Sequence, residues 1–282
     1  MRENVQNFIG CGASYEAARA VIFGAPFDGT TSFRPGARFG PGAVRAESFG
    51  IETYSPYQRR GLEETAVFDS GDLELPPGGA ESSLELISGR VGRISADGKI
   101  PVMLGGEHLV TLGALRPLAE THPGLRIVHF DAHADLRGDY MGVSLSHACV
   151  MRRAWELTGD GRIFQLGIRS GDRDEWAFME NHMNAHPFDL FGAEAVKEAC
   201  LGHPVYITVD LDVLDPSVFP GTGTPEAGGA DFNMLLSALL ALRGLSVVGF
   251  DLVELSPQLD HSGASTALCC KLLREMLLAF VR

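Results

Sequence analysis

The sequence predicts an α/β protein, a three-layer α/β/α sandwich around a mostly parallel sheet of about eight strands. Two observations carry that reading. Short apolar runs alternate with helical patterns along nearly all of the 282 residues. These runs lack polar alternation, as strands buried on both faces must. Candidate metal-binding residues then recur just after the runs, where open α/β sheets build their sites.

The strand-like runs are residues 20–24, 65–68, 100–104, 126–130, 162–166, 204–209 and 245–250, with 187–191 a weaker eighth. Between them, Leu84, Ile87, Val91 and Ile94 recur at spacings of three and four, the apolar stripe of one helix face. The apolar stretch 234–242 is interrupted by Ser237 and stopped by Arg243-Gly244, which marks a buried helix rather than a membrane span. Residues 271–281 read as a terminal amphipathic helix. No linker, internal repeat or low-complexity tract divides the chain, so residues 1–282 read as a single domain.

Composition is that of a globular protein, with 45% apolar and 21% charged residues. A net charge of −13 argues against nucleic acid and is compatible with a cationic ligand. Residues 1–20 lack the apolar core of a signal peptide. Cys11, Cys149, Cys200, Cys269 and Cys270 are odd in number and form no C-x-x-C, which points to reduced thiols in a cytoplasm.

The run His129-Phe130-Asp131-Ala132-His133-Ala134-Asp135 offers three metal ligands at alternate positions: Asp131, His133 and Asp135. Val209-Asp210-Leu211-Asp212 adds two carboxylates, and Gly105-Gly106-Glu107-His108 adds a histidine. Six ligands, four of them carboxylates, are too many for one metal with an open position. They suit two hard divalent cations sharing carboxylates, and so an enzyme that activates water for hydrolysis. Aspartates at strand ends also cap helices, which would explain one or two of these residues but not two alternating clusters. His129 is read as packing on the side of its strand away from the neighbours of Asp131, outside the ligand set. Glu107 is read as supporting His108 from behind. His122, His182, His186, His203 and His261 have no supporting context.

These stretches resemble the ureohydrolase family of arginases and agmatinases, with agmatinases the nearer branch. Ser146-His147-Ala148, Asp215-Pro216 after the second aspartate motif, Gly221-Thr222-Gly223-Thr224-Pro225-Glu226, Asp251-Leu252-Val253-Glu254 and the Gly/Pro-rich residues 24–45 match as well. The resemblance spans nearly the whole chain and implies an arginase/deacetylase-like fold. It also implies two Mn²⁺ ions, one bound by His108 and Asp135 and the other by His133 and Asp212, with Asp131 and Asp210 bridging. Glu254 would pair with a substrate guanidinium, Asp135 would relay a proton, and His147 would shuttle protons to solvent. A cytoplasmic homo-oligomer, trimer or hexamer, and hydrolysis of agmatine to putrescine and urea complete what the resemblance implies.

The residue types fit that task. A guanidinium is resonance-stabilised and a poor electrophile, so attack needs a strong nucleophile, which a divalent cation can generate near neutral pH. Two carboxylate oxygens match the planar donor fork of a guanidinium. Taken alone, Ser146 would be a helix N-cap with His147 in the first turn. Arg34, Arg38 and Arg45 would repel a cationic substrate, and no phosphate-loop pattern is present, so they read as structural or subunit contacts. Asp28 lines the mouth of the site or serves a turn.

Substrate choice must come from groups at the far end of the substrate. The segment from Leu136 to Ser146 contains no Asn or Thr, which fits a decarboxylated aliphatic chain. Asp139 or Glu226 is expected to meet a distal ammonium. Arg137, if it faces the pocket, would instead favour a carboxylate. Aminopropylagmatine, guanidinobutyrate and arginine are the alternative substrates. A non-catalytic regulatory paralogue would be expected to lose ligands or Glu254.

Overall fold

The computed structural model describes residues 6–76 and 79–281, so the start of the 1–20 segment lies outside the described residues. The chain opens with β1 (Ala20–Ala25) and α1 (Gly40–Glu47), then a short antiparallel pair, β2 (Tyr54–Ser55) and β3 (Arg60–Gly61). Alternation follows: β4 (Val67–Asp72), α2 (Ala80–Ala96), β5 (Ile100–Gly105), α3 (Val110–Thr121), β6 (Arg126–Phe130), α4 (Val150–Thr158) and β7 (Ile163–Leu166). The remainder is α5 (Arg173–His182), β8 (Asn184–His186), α6 (Ala193–Cys200), β9 (Pro204–Asp210), α7 (Phe232–Ala241), β10 (Ser246–Val253) and α8 (Ala264–Phe280).

Eight strands form one sheet in the order β4-β1-β5-β10-β9-β6-β7-β8, and every adjacent pair is parallel. Side chains alternate between its two faces. Along β9, Val205, Ile207 and Val209 enter the core beneath α1, α6, α7 and α8, while Tyr206 enters the core beneath α2, α3 and α4. The ends of β5, β10, β9 and β6 therefore lie side by side. No helix among the described residues is long and apolar enough to cross a membrane.

Two sequence expectations need correction. The eighth strand is Asn184–His186, just before 187–191. Pro187 has no N–H to donate, Phe188 turns to a φ of 73°, and Asp189 closes a turn by accepting from the Phe191 N–H. The last helix is not amphipathic, because residues 272–280 are all buried. Its charged pair, Arg274 and Glu275, is satisfied internally. Ser55 and Gln58 donate to Glu275, and Arg274 donates to the Glu52 carbonyl.

The Gly/Pro-rich segment is folded back on the carboxyl ends of the strands by its own charges. Asp28 is buried, accepts the Gly36 N–H at 2.9 Å and pairs with Arg38, so it serves the turn. Arg34 donates to the Thr222 and Gly223 carbonyls at 2.9 and 3.0 Å, and Arg45 pairs with Asp69 and Asp72. All three arginines are thus structural.

Gly106 is where this segment meets β5. A Cβ there would lie 1.9 Å from the Phe27 carbonyl oxygen. The backbone approach is needed, because the Glu107 N–H donates to Phe27 and the Glu254 N–H donates to the Gly106 carbonyl, each at 2.8 Å. Gly106→Ala should therefore cost about 1–3 kcal/mol, the usual penalty of overpacking. Urea denaturation of the variant checks this, and an unchanged midpoint would refute it.

Candidate metal centre and active site

His108, between β5 and α3, aims its Nδ1 at three carboxylates. Asp131 Oδ2 is at 3.0 Å, Asp210 Oδ2 at 3.1 Å and Asp135 Oδ2 at 3.5 Å. His133 Nδ1 lies 3.0 Å from Asp212 Oδ2 and 3.6 Å from Asp131 Oδ1. Asp131 thus presents one oxygen to each histidine. The six residues singled out from the sequence converge, and the carboxylates and His108 are all buried.

Backbone geometry holds two of these groups at a cost. Asp135 and Glu254 have φ of 53° and 65°, left-handed values that non-glycine residues seldom adopt. Each such residue stores about 1–3 kcal/mol. Asp135 is held by its carbonyl, which accepts the Met151 and Arg152 N–H groups at the start of α4. Glu254 is held by its own N–H bond to Gly106 and by Oε1, which accepts the His108 N–H at 2.9 Å.

The electrostatics are those of crowded, desolvated acids. Burial, then the charges of Asp212 and Asp131, pushes Asp210 well above the usual carboxylate range. Burial and Asp131 do the same to Asp135, and burial with Asp210 and Glu107 does so to Glu254. Burial opposes charge on Asp131 too, yet His129, His108 and His133 outweigh it and hold its carboxyl well below that range. Burial likewise opposes charge on His108, but Asp131 and Asp210 raise it well above an ordinary histidine.

The residues fit a pair of divalent ions. His108 Nδ1 is buried and makes no hydrogen bond although three carboxylates lie within 3.5 Å, a convergence that a cation replacing the ring proton would satisfy. Asp131, His133 and Asp212 form a second cluster of converging ligand atoms. A donor set rich in carboxylate oxygen with two imidazoles suits hard divalent cations.

A cavity of about 330 Å³ opens over these ligands and is lined also by Ser32, Arg137, Tyr140, His147, Asp172, Glu175, Thr224 and Glu254. His147 stands on a short turn before α4. Its N–H donates to Thr30 Oγ1 at 3.2 Å, its Nε2 is 3.4 Å from Ser32 Oγ, and Tyr140 packs edge-on against its ring. Burial, then the nearby His133, lowers its imidazole to about 4.

Several expectations change here. Asp139 is exposed and outside the cavity, its Oδ1 accepting the Gly142 N–H in a turn. Glu226 is outside as well, and only its carbonyl is engaged, by Arg169. The acids that do line the cavity are Asp172 and Glu175, which sequence reasoning missed. They form the capping box that starts α5, and that Asp-x-x-Glu spacing was the available signal. Arg137 faces the cavity but is committed. It pairs with Glu175 at 3.2 Å and Asp172 at 3.6 Å, and its guanidinium lies 4.7 Å from the Tyr140 ring centre. The hydrogen bonds of Glu107 go elsewhere than to the His108 ring. Its carboxylate accepts from Thr30 and Thr31, binding the Gly/Pro-rich segment to the site. His129 shares the face of Asp131, as strand periodicity requires, and its Nε2 lies 2.8 Å from Asp131 Oδ2.

Fold and site together define the class, an α/β/α enzyme fold with a cluster of carboxylates and imidazoles able to hold divalent ions. Comparison with known proteins agrees. The model of the arginase family matches residues 18–279. An agmatinase from Bacillus anthracis is 45% identical, covering 98% of this chain and 96% of its own, and one from Bacillus subtilis is 44% identical with the same coverage. The solved agmatine ureohydrolase of Thermoplasma volcanium superposes with a TM-score of 0.90 at 36% identity, covering 98% of this chain and 94% of its own. The chain belongs to the arginase family.

Two outcomes follow from the charges. Metal loading near neutral pH should release protons, because the acids held protonated by crowding ionise when a dication arrives. Calorimetric titration of the metal-free protein in two buffers of different ionisation enthalpy measures this, and identical heats would contradict it. For His147, a folded value of about 4 lies below the ordinary 6.5. Between those values the unfolded chain takes up a proton that the folded chain refuses, so stability falls as pH drops through that window. The stability advantage of wild type over His147→Asn should shrink from pH 6.5 to 4 in urea titrations at stepped pH.

Proposed function

We propose that this protein hydrolyses agmatine to putrescine and urea at a binuclear manganese centre. The observation that carries the proposal is the cavity lining. One part is the ligand cluster with Glu254, and another is an acidic wall whose arginine is already neutralised.

His108 and Asp135 would hold one ion and His133 and Asp212 the other, with Asp131 and Asp210 between them. The divided approach of the two Asp131 oxygens supports that assignment. When bound, the ions supply Lewis acidity and a water made nucleophilic near neutral pH. Glu254 accepts the His108 N–H at Oε1 and keeps Oε2 and the second lone pair of Oε1 for the donor fork of a guanidinium. Asp135, itself one of the ligands, relays a proton from the attacking water to the departing amine. His147, neutral at working pH and lining the same cavity, brings from solvent the further proton that turns the released amine into an ammonium.

The substrate tail is read from Arg137, Asp172 and Glu175. Two carboxylates against one guanidinium leave this wall net negative, which favours a distal ammonium over a carboxylate. Asp172, half-exposed, is the group best able to reach it. Aminopropylagmatine also keeps a cationic tail and is the second reading. Guanidinobutyrate and arginine would need Arg137 to abandon its partners. A regulatory paralogue is disfavoured because each ligand and Glu254 is in place. The five cysteines, all buried and unpaired, support a reducing cytoplasm. Exposed Phe188 and Phe191 are compatible with the homo-oligomer, trimer or hexamer, that family resemblance implies. Residues 1–282 are taken as one domain.

With Mn²⁺ present, kcat/KM should be highest for agmatine among agmatine, aminopropylagmatine, arginine and guanidinobutyrate. Preference for either carboxylate-bearing compound would overturn the choice of substrate. Asp131→Ala or Asp210→Ala should abolish urea release and lower metal content at both positions, as metal analysis of the purified variants would record. Asp172→Asn preserves the helix cap. It should raise KM for agmatine about two- to fivefold with little change in kcat, the scale of a half-exposed ion pair.

A further inference from the structure

Beneath the ligands runs a line of polar side chains in an otherwise apolar face of the sheet. Gln165, His129, Thr208 and Asp251 are register partners on β7, β6, β9 and β10, and all are fully buried. His129 and Thr208 stand two residues before Asp131 and Asp210, so each lies under a ligand on the same face. Buried polar groups persist only when hydrogen-bonded. Thr208 Oγ1 lies 2.9 Å from His108 Nε2, and Asp251 accepts from Thr111 and Tyr206.

The His129 arm can be resolved to a proton. Gln165 Nε2 donates to the Ala134 carbonyl at 2.9 Å and faces His129 Nδ1 at 3.0 Å. Turning the amide over would set its oxygen against the Ala134 carbonyl oxygen, an acceptor against an acceptor. The present orientation costs only an unpartnered Gln165 Oε1. Nδ1 of His129 must therefore accept. In a neutral imidazole the proton then sits on Nε2, which faces Asp131 Oδ2 at 2.8 Å.

We propose that His129 is a positioning residue whose tautomer is set by Gln165, so that it donates to Asp131 and fixes that carboxylate between His108 and His133. His129 and His108 both have a ligand atom close to Asp131. Yet with Nε2 protonated and Nδ1 accepting, His129 has no lone pair to give a cation. It contributes a donor instead. Asp131 is pinned at both ends, Oδ2 by His129 and Oδ1 by the His133 N–H. That leaves it no rotation about its last bond, the freedom a shared ligand must lose. The role rests on the metal reading above, but the tautomer does not.

The test begins with the metal-free protein labelled with ¹⁵N. Long-range ¹H–¹⁵N correlation of its histidine rings, with His129→Phe identifying the signal, should show a neutral, Nε2-protonated His129. An Nδ1-protonated or doubly protonated ring would overturn the proposal. Gln165→Glu offers Nδ1 an acceptor and should place a proton on Nδ1, so that the ring no longer meets Asp131 as a neutral Nε2 donor. Mn²⁺ affinity by calorimetry should then fall about 10- to 100-fold, the usual effect of losing a ligand's supporting partner. His129→Phe should fall as far, whereas His129→Gln, whose amide nitrogen can replace the Nε2 donor, should recover most of the affinity. Gln165→Leu, which removes the partner without adding charge, serves if Gln165→Glu fails to fold. Wild-type affinity in His129→Phe or in the folded Gln165 variant would overturn the proposal. Wild-type protein that binds no Mn²⁺ would overturn the metal reading, while the tautomer signal, recorded without metal, still decides the hydrogen-bond assignment.

Discussion

Five buried carboxylates, those of Asp131, Asp135, Asp210, Asp212 and Glu254, share one pocket, and the surrounding structure answers their mutual repulsion. A like-charge pair about 4 Å apart costs roughly 4 kcal/mol even at an effective dielectric of about 20. Without a cation, that cost appears as a stronger hold on protons at Asp135, Asp210 and Glu254, and at His108 and His133 beside them. The parallel sheet is what makes the crowding possible. Four neighbouring strands end at one level, and each delivers a charged or imidazole group to the same place.

The rest of the molecule reads as support for that placement. The Gly/Pro-rich segment is drawn in by Glu107, and through Thr30 the same carboxylate is linked to the backbone of His147. The start of α5 is tied to the residue after Asp135, since Glu175 accepts the Leu136 N–H at 3.0 Å. One capping box thereby shapes an acidic wall of the cavity and steadies the backbone beside Asp135. The left-handed backbone at Asp135 and Glu254 is tolerated because neighbouring N–H and carbonyl groups hold both residues from more than one side.

How much of this was legible in the sequence depended on whether a feature is local. The convergence of the candidate ligands was legible because alternate positions after a strand can share a face, so spacing alone declares that Asp131, His133 and Asp135 can meet. The same rule places His129 with Asp131, and the opposite reading failed by ignoring it. Asp139 and Glu226 were misplaced because loop spacing says nothing of side-chain direction, and Asp139 is spent on its own turn. Asp172 and Glu175 were hidden because a capping box announces a helix start whether or not that start faces a cavity. The last helix misled because the partners of its charges, Ser55 and Gln58, lie more than two hundred residues away in sequence.

The position of β10 has a consequence for biosynthesis. The last strand to be made lies in the middle of the sheet, between β5 and β9. β10 pairs with both β5 and β9 and so joins two groups of strands, β4-β1-β5 and β9-β6-β7-β8. His108 belongs to one half, and Asp131, His133, Asp210 and Asp212 belong to the other. β10 is therefore the element that brings the two groups of candidate ligands together. A polypeptide stalled or cleaved before residue 246 would expose two apolar strand edges, the kind of surface that draws incomplete chains into aggregates.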